Sequence, residues 1–379
     1  MRSTALASHL ARDSVRLGSD AIAPRRVAVR PNALGDTIAW LCRTHEVTGR
    51  QGSSKGYSLL KGWLPAYPET TGYVIGTLLA YAERDGGRTD LITRAREMGD
   101  WEVSIQEPDG GIMEGAIGTT PRRSIVFNTG MVLHGWIDLS QAGFEGYDDA
   151  AGRAAHFLTE NLRPDGTWDA GLEYGALPHT YNSRVAWAML RWARHTGDGS
   201  AEAAARRQLD WVVGRQRPNG WFDDCIFRTG MQPSTHAIAY TLRGLLESHV
   251  LTGEASWLAA VERTSEALIR KLEVLPQLAA NYDEAWNPVA RHACLTGTVQ
   301  LGGVWLRLFE VTGDPRWLNA GLKAVEQAAS HQQSGRIGEV AGALPGSFPV
   351  WGRYAPLQYP NWATKFLADS LMLYEDLLA

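Results

Sequence analysis

Six times along the chain a short polar or aromatic cluster opens an apolar run. These clusters are Glu69-Thr70-Thr71, Asn128-Thr129-Gly130, Thr180-Tyr181-Asn182, Ser234-Thr235-His236, Leu295-Thr296-Gly297 and Pro360-Asn361-Trp362. Most stand roughly 55 to 60 residues apart, too far for one helix and suited to a helix, a loop, a second helix and a turn. A second mark closes apolar runs at Val47-Thr48-Gly49, His195-Thr196-Gly197-Asp198, Leu251-Thr252-Gly253-Glu254 and Val311-Thr312-Gly313-Asp314. A Gly past the last apolar turn takes the left-handed conformation that ends a helix, and the acidic residue after it caps the next. A third mark is Gln106-Glu107-Pro108-Asp109-Gly110, Arg163-Pro164-Asp165-Gly166 and Gln216-Arg217-Pro218-Asn219-Gly220, with Asn281-Tyr282-Asp283 as a degenerate copy. Pro presets the first turn dihedral and Gly accepts positive φ, so each begins a loop, and the loop runs into the next polar cluster.

This pattern predicts outer helices near 33–47, 89–106, 147–161, 200–216, 254–274 and 315–331. Inner helices follow near 70–84, 129–141, 180–195, 235–250, 296–311 and 361–378, rich in Ala, Gly, Leu and Trp as segments with neighbours on all sides should be. The expected fold is all-α: an (α/α)6 toroid of six helical hairpins forming a single domain over residues 32–379. Residues 1–31, Arg-rich and broken by Pro24 and Pro31, are expected to be an irregular arm. In such a ring all inner helices run one way, so their N-termini, with free N–H groups and partial positive charge, collect at one mouth. The polar clusters sit there.

Composition narrows the function. A net charge of −4, with no Lys/Arg run longer than two, argues against nucleic acid as the partner. No stretch is long and apolar enough to span a bilayer, and the N-terminus lacks the apolar core of a secretion signal. Three cysteines, Cys42, Cys225 and Cys294, are too few and too scattered for a disulfide framework, so the expected location is a reducing cytoplasm. Fifteen Trp and twelve Tyr exceed what helix packing needs. Most should be core wedges, but Trp63, Trp168, Trp221, Trp351 and Trp362 stand in loops or at helix starts, where aromatic faces stack on sugars.

A resemblance is carried by three stretches: Leu177-Pro178-His179-Thr180-Tyr181-Asn182-Ser183-Arg184-Val185-Ala186-Trp187, Cys294-Leu295-Thr296-Gly297, and Pro345-Gly346-Ser347-Phe348-Pro349-Val350-Trp351-Gly352 followed by Tyr359-Pro360-Asn361-Trp362-Ala363. They resemble toroidal proteins of bacterial exopolysaccharide biosynthesis loci, and the likeness spans most of residues 35–378. Those proteins are similar in turn to the toroid domain of glucuronyl C5-epimerases and, more distantly, to six-hairpin glycosidases and polysaccharide lyases. The resemblance implies a carbohydrate-active enzyme and an acidic poly- or oligosaccharide as partner; no cofactor is implied.

Abstracting the C5 proton of a uronic acid, as an epimerase or lyase does, needs a base, a group that neutralises the carboxylate and an acid. Tyr181, His179, His236 and Arg184 are the expected catalytic groups: Tyr181 and His179 exchange protons, His236 completes the site, and Arg184 with Asn182 holds the carboxylate. The blander alternative has Arg184 paired with an acid inside the barrel and His179 capping a helix. Asn128, Trp168, Trp221, Asn361 and Trp362 are expected to touch substrate. So are Trp351, Arg353 and Tyr354, carried on a Pro/Gly-rich strap from Ala343 to Lys365, with Arg353 facing the anion.

Three other readings stay open. A glycoside hydrolase would use two facing carboxyls, drawn from Glu114, Asp169, Asp223 and Asp224 at nearly equivalent loop positions and Glu69 at the first inner helix, although helix capping explains the same letters. Asp223-Asp224-Cys225 and Arg291-His292-Ala293-Cys294 resemble the zinc ligands of protein prenyltransferase β-subunits, with Asp223, Cys225 and His292 as candidate ligands, although buried structural cysteines do so too. The third is a non-catalytic sugar-binding module. The sequence leaves the sugar and the oligomeric state open.

Overall fold

The computed structural model describes residues 2–20, 28–275, 277–334 and 338–379. Among them lie thirteen α-helices: α1 (Arg2–Asp20), α2 (Ala33–Glu46), α3 (Pro68–Arg84), α4 (Thr89–Ile105), α5 (Val126–Gln141), α6 (Asp148–Glu160), α7 (Ser183–Thr196), α8 (Gly199–Gly214), α9 (Thr235–Thr252), α10 (Ala255–Val274), α11 (Leu295–Thr312), α12 (Pro315–Ala329) and α13 (Asn361–Leu378). The turn chemistry works as the pattern requires. Gly197, Gly253 and Gly313 close α7, α9 and α11 at φ 80°, 77° and 72°. Asp198, Glu254 and Asp314 then accept backbone N–H groups opening α8, α10 and α12.

Helices α3, α5, α7, α9, α11 and α13 pack each against the next, and α13 returns to α3. Around this inner ring α4, α6, α8, α10 and α12 each pair with the preceding inner helix. The sixth hairpin is made by the two ends of the chain, because α2 packs on α13. The fold is the (α/α)6 toroid. Small residues let the inner helices close up: a Cβ on Gly135 would strike the Gly72 carbonyl, and one on Gly297 would strike Thr235 and the His236 backbone. Equivalent levels of successive inner helices touch, as Asn361 does Thr70 near one end and Arg307 does Glu247 near the other. The inner helices therefore run parallel, with their N-termini at one mouth.

Short ladders tie down the mouth loops. β1 (Gly56–Ser58) pairs antiparallel with both β2 (Gly62–Trp63) and β7 (Gln358–Pro360), β3 (Ile112–Met113) with β4 (Ser124–Ile125), and β5 (Ala293–Cys294) with β6 (Ser347–Phe348). β6 and β7 belong to the 343–360 strap, so the strap is stitched to the loop before α3 on one side and to the loop before α11 on the other.

The arm is a correction. Residues 2–20 form a 19-residue helix rather than irregular chain; residues 21–27 lie outside the described ones. Leu6 and Leu10, one turn apart, pack on the core, and buried Asp13 accepts the strap's Val350 N–H at 2.8 Å. Leu6 and Leu10 face the core while Val15 and Leu17 are exposed, a faint stripe that the basic residues and the two prolines outweigh in a reading by pattern.

Candidate active site

Glu69, Phe127, His236, Thr296 and Trp362, each second in its inner helix, form one level around the axis. One turn further in lie Tyr73, Tyr240, Gln300 and Phe366, four residues on from Glu69, His236, Thr296 and Trp362, together with Arg184 of α7, because residues four apart on a helix stack on the same face. These two levels meet in a hydrogen-bonded aromatic cluster around one carboxyl.

Glu69, 9% exposed, accepts the Tyr67 hydroxyl at 2.5 Å on Oε2 and lies 3.5 Å from the Tyr73 hydroxyl on Oε1. Burial raises its pKa; the Tyr67 hydrogen bond and the charges of Lys55 and Arg184 oppose the rise. Lys55 Nζ sits over the rings of Tyr67, at 4.8 Å, and Trp362, at 5.9 Å. The Tyr174 hydroxyl lies 3.2 Å from that of Tyr67 and donates to Asn128 Oδ1 at 2.7 Å. From Tyr73 the hydroxyl contact continues to Tyr240 at 3.4 Å, and the Tyr240 ring lies 4.2 Å from the His236 imidazole. Gln300 Nε2 meets His236 Nδ1 at 2.6 Å. With the amide donating there, the ring proton of neutral His236 resides on Nε2. Burial and the Arg184 charge hold this imidazole down to about 3, so it is neutral at physiological pH. Tyr354, 5.3 Å from His236 ring to ring, accepts the Trp362 indole N–H at 2.8 Å.

The four side chains expected to act as one unit at the start of α7 separate. Arg184 turns inward, its guanidinium 4.8 Å from the Tyr240 ring and 5.5 Å from that of Phe366. Tyr181 is fully buried between Phe127 and Phe227, stacked on His179 at 4.4 Å and 15°. His179 Nε2 meets the Tyr174 carbonyl at 2.7 Å, and burial holds its ring down to about 4. Asn182 donates to Glu173 Oε1 at 2.7 Å, a buried carboxyl that desolvation pushes up to about 8. A start that looks linear in sequence thus points in three directions, because the 3₁₀ turn Thr180–Asn182 precedes the helix proper.

The other expected residues divide as well. Asn128 donates to the Met113 carbonyl while receiving Tyr174, so it supports the cluster. Asn361 is wholly buried and donates to Ser53 and Thr70, locking α13 to the loop before α3 and to α3 itself. Trp168 is a core wedge donating to the Leu158 carbonyl. Trp221 lies edge-on to Trp286 and lines a separate outer groove of about 370 Å³ with Asp223, Asp224 and Glu284. Trp63 donates to Glu339. Trp351 is 40% exposed; exposed Arg353 acts electrostatically on His292. The loop carboxylates are each held by an arginine: Glu114 by Arg123, Asp169 by Arg163, Asp223 by Arg217 and Asp224 by Arg215. The zinc reading is corrected. Cys225 is buried against Thr241 with its thiol pushed up to about 11, and among the described residues no three His, Cys, Asp or Glu side chains gather to hold a metal. No helix among the described residues is long and apolar enough to cross a membrane.

Tyr67, Tyr73, Tyr174, Tyr240, Lys55 and Gln300 escape sequence reading as site residues. Tyr73, Tyr240 and Gln300 stand four residues after Glu69, His236 and Thr296, a spacing that would have found them; Lys55, Tyr67 and Tyr174 come from loops and carry no such signal.

Solved structures share this architecture. An unsaturated glucuronyl hydrolase specific for heparin superposes with a TM-score of 0.71 at 13% identity, over 92% of this chain and 97% of its own. Cellobiose 2-epimerase from Spirochaeta thermophila gives 0.69 at 13%, over 91% and 97%, and D-mannose isomerase 0.69 at 11%, over 90% and 96%. The chain has their fold. No family model and no curated protein sequence matches it.

Proposed function

We propose that the protein is a carbohydrate-active enzyme that moves a proton at a sugar carbon adjacent to a carboxylate or carbonyl, an epimerase, isomerase or lyase acting on an acidic saccharide. The observation that carries this reading is a single tyrosine-bound carboxyl, Glu69, on the same aromatic platform as neutral His236. A carboxyl that can exchange a proton and a neutral N–H donor that can hold the developing oxyanion are what abstraction and return of a proton require. Glu69, with its raised pKa and Tyr67 hydrogen bond, is suited to exchange the proton. His236, fixed by Gln300 on Nδ1, offers Nε2–H to a developing oxyanion. Lys55, between Tyr67 and Trp362, is the cation placed to meet the substrate's anionic group, and Trp362 and Tyr354 offer rings to its apolar face. That solved structures of this fold include an epimerase and an isomerase favours the reading by analogy.

A second reading, glycoside hydrolysis, is favoured by one observation: Glu69 and Glu173 are both buried carboxyls with raised pKa, and both act on Tyr181. Incubation with uronate oligosaccharides and reducing disaccharides in heavy water separates the two. Proton transfer predicts deuterium at a ring or anomeric-adjacent carbon, or an unsaturated product absorbing in the ultraviolet, with turnover lowered about 10²- to 10⁴-fold in Glu69→Gln and in His236→Ala. Cleavage without carbon-bound deuterium, abolished equally by Glu173→Gln, would transfer the assignment to hydrolysis.

A further inference from the structure

Beneath the aromatic platform lies a cavity of about 60 Å³ lined by Arg184, Trp187, Arg243, Gln300, Lys365 and Asp369, among others. Its lining residues come from the inner helices, from Arg184 near the start of α7 to Arg243 and Asp369 midway along α9 and α13, and exposure grows away from the mouth: Arg184 is 4% exposed, whereas the side chains of Arg243 and Asp369 are 29% and 33% exposed. The cavity therefore opens toward the pole opposite the loops. Its volume suits a few waters or one small ion, not a saccharide chain.

The cations around it are unevenly matched. Asp369 is committed to Lys365 and to the Thr77 hydroxyl, the latter at 2.7 Å. Glu247 binds Arg243 at 2.9 Å and Arg307 at 3.2 Å. Arg191 is held by Asp138 at 2.6 Å. Arg184 has no carboxylate within ion-pair distance among the described residues, and its Nε–H has no hydrogen-bond partner. The Tyr240 and Phe366 rings attract the charge but accept none of its hydrogen bonds in the way an oxyanion would. Trp187 holds three guanidiniums, of Arg184, Arg191 and Arg243, each 5.9 Å from its ring. The excess positive field is felt by neighbours: burial lowers the pKa of His134, and Arg191, Arg184 and Lys365 lower it further. A buried guanidinium left without an anion is costly, because the hydration it has lost is not replaced, so a cavity beside it is the place for a counter-ion.

We propose that this cavity is a binding site for one small oxyanion, a phosphate or carboxylate group, held by Arg184, Arg243 and Lys365 and entered from the pole opposite the mouth. Gln300 lines the cavity and also holds His236 Nδ1, so occupancy bears directly on the amide that orients the imidazole. The site stands whether or not the mouth is catalytic.

Calorimetric titration and thermal shift of the whole protein with inorganic phosphate and, separately, with acetate test it, against chloride at equal ionic strength. Binding and a raised melting temperature are expected with at least one probe, weakened about tenfold or more in Arg184→Met and in Arg243→Gln. Phosphate alone would name a phosphate group as the ligand, acetate alone a carboxylate, and both a general oxyanion site. Because Arg243 is part-exposed, its variant reports even if Arg184→Met folds poorly. Absence of binding by both probes, or binding unchanged in Arg243→Gln, would overturn the proposal.

Discussion

Glu173 illustrates how one side chain ties stability to pH. Its carboxyl is 1% exposed, with Oε1 bound by Asn182 and Oε2 unpartnered, and desolvation pushes it up to about 8. The folded pKa is raised above the unfolded value, so the folded state keeps a proton that the unfolded chain releases above its ordinary pKa of about 4.3. The contribution is full below that pH and is lost progressively as pH rises through about 8. Chemical denaturation between pH 5 and 8 should show this decline in the wild type and a flatter profile in Glu173→Gln, whose amide needs no proton; an unchanged slope would refute the assignment. Individual residues were legible where helical spacing sets their facing. His236 and Glu69, each second in an inner helix, reach the axis as that position requires. Asn182 and Tyr181, read as equally available, are turned aside by the 3₁₀ turn, and no letter in the sequence announces a change from 3.6 to 3 residues per turn.

Helices were legible from their punctuation; their contacts were not. Gly297 reads as a helix-opening residue, yet its decisive property is the missing Cβ that lets α11 close on Thr235 and His236 of α9. Gly297→Ala should cost about 1–3 kcal/mol, seen as a lower denaturation midpoint, because backbone rather than a flexible side-chain end must yield. Gly199→Ala, at the start of α8 with open space around it, should be neutral or slightly stabilising. Similar losses at the two positions would show that helix propensity, not inter-helix clearance, governs. The strap before Asn361 is non-helical, as its Pro/Gly composition led one to expect; the ladders that bind it at both ends were not foreseen, and its aromatic contribution to the site is Tyr354 against His236, while Trp351 and Arg353 remain exposed.

The ring is closed by its termini. α13 fills the gap between α11 and α3 and is covered outside by α2. Ending the chain before Asn361 should leave the apolar faces of all three neighbours open, and the shortened protein should aggregate or show no cooperative thermal transition by circular dichroism. A sharp transition near that of the full chain would mean that five hairpins suffice. Recurrence of a hairpin unit, its turn chemistry and the gathering of helix starts at one mouth all follow from local rules, periodicity, caps and a fixed direction per unit, and those were readable in one dimension. Which side chains share hydrogen bonds across that mouth, and which cation lacks a carboxylate partner beneath it, depend on residues far apart in the chain, 167 positions for Tyr73 and Tyr240 and 308 for Ser53 and Asn361. Such pairings arise only when six helices close on one another and exclude water, since a hydroxyl or guanidinium acquires its character from neighbours that local sequence does not name.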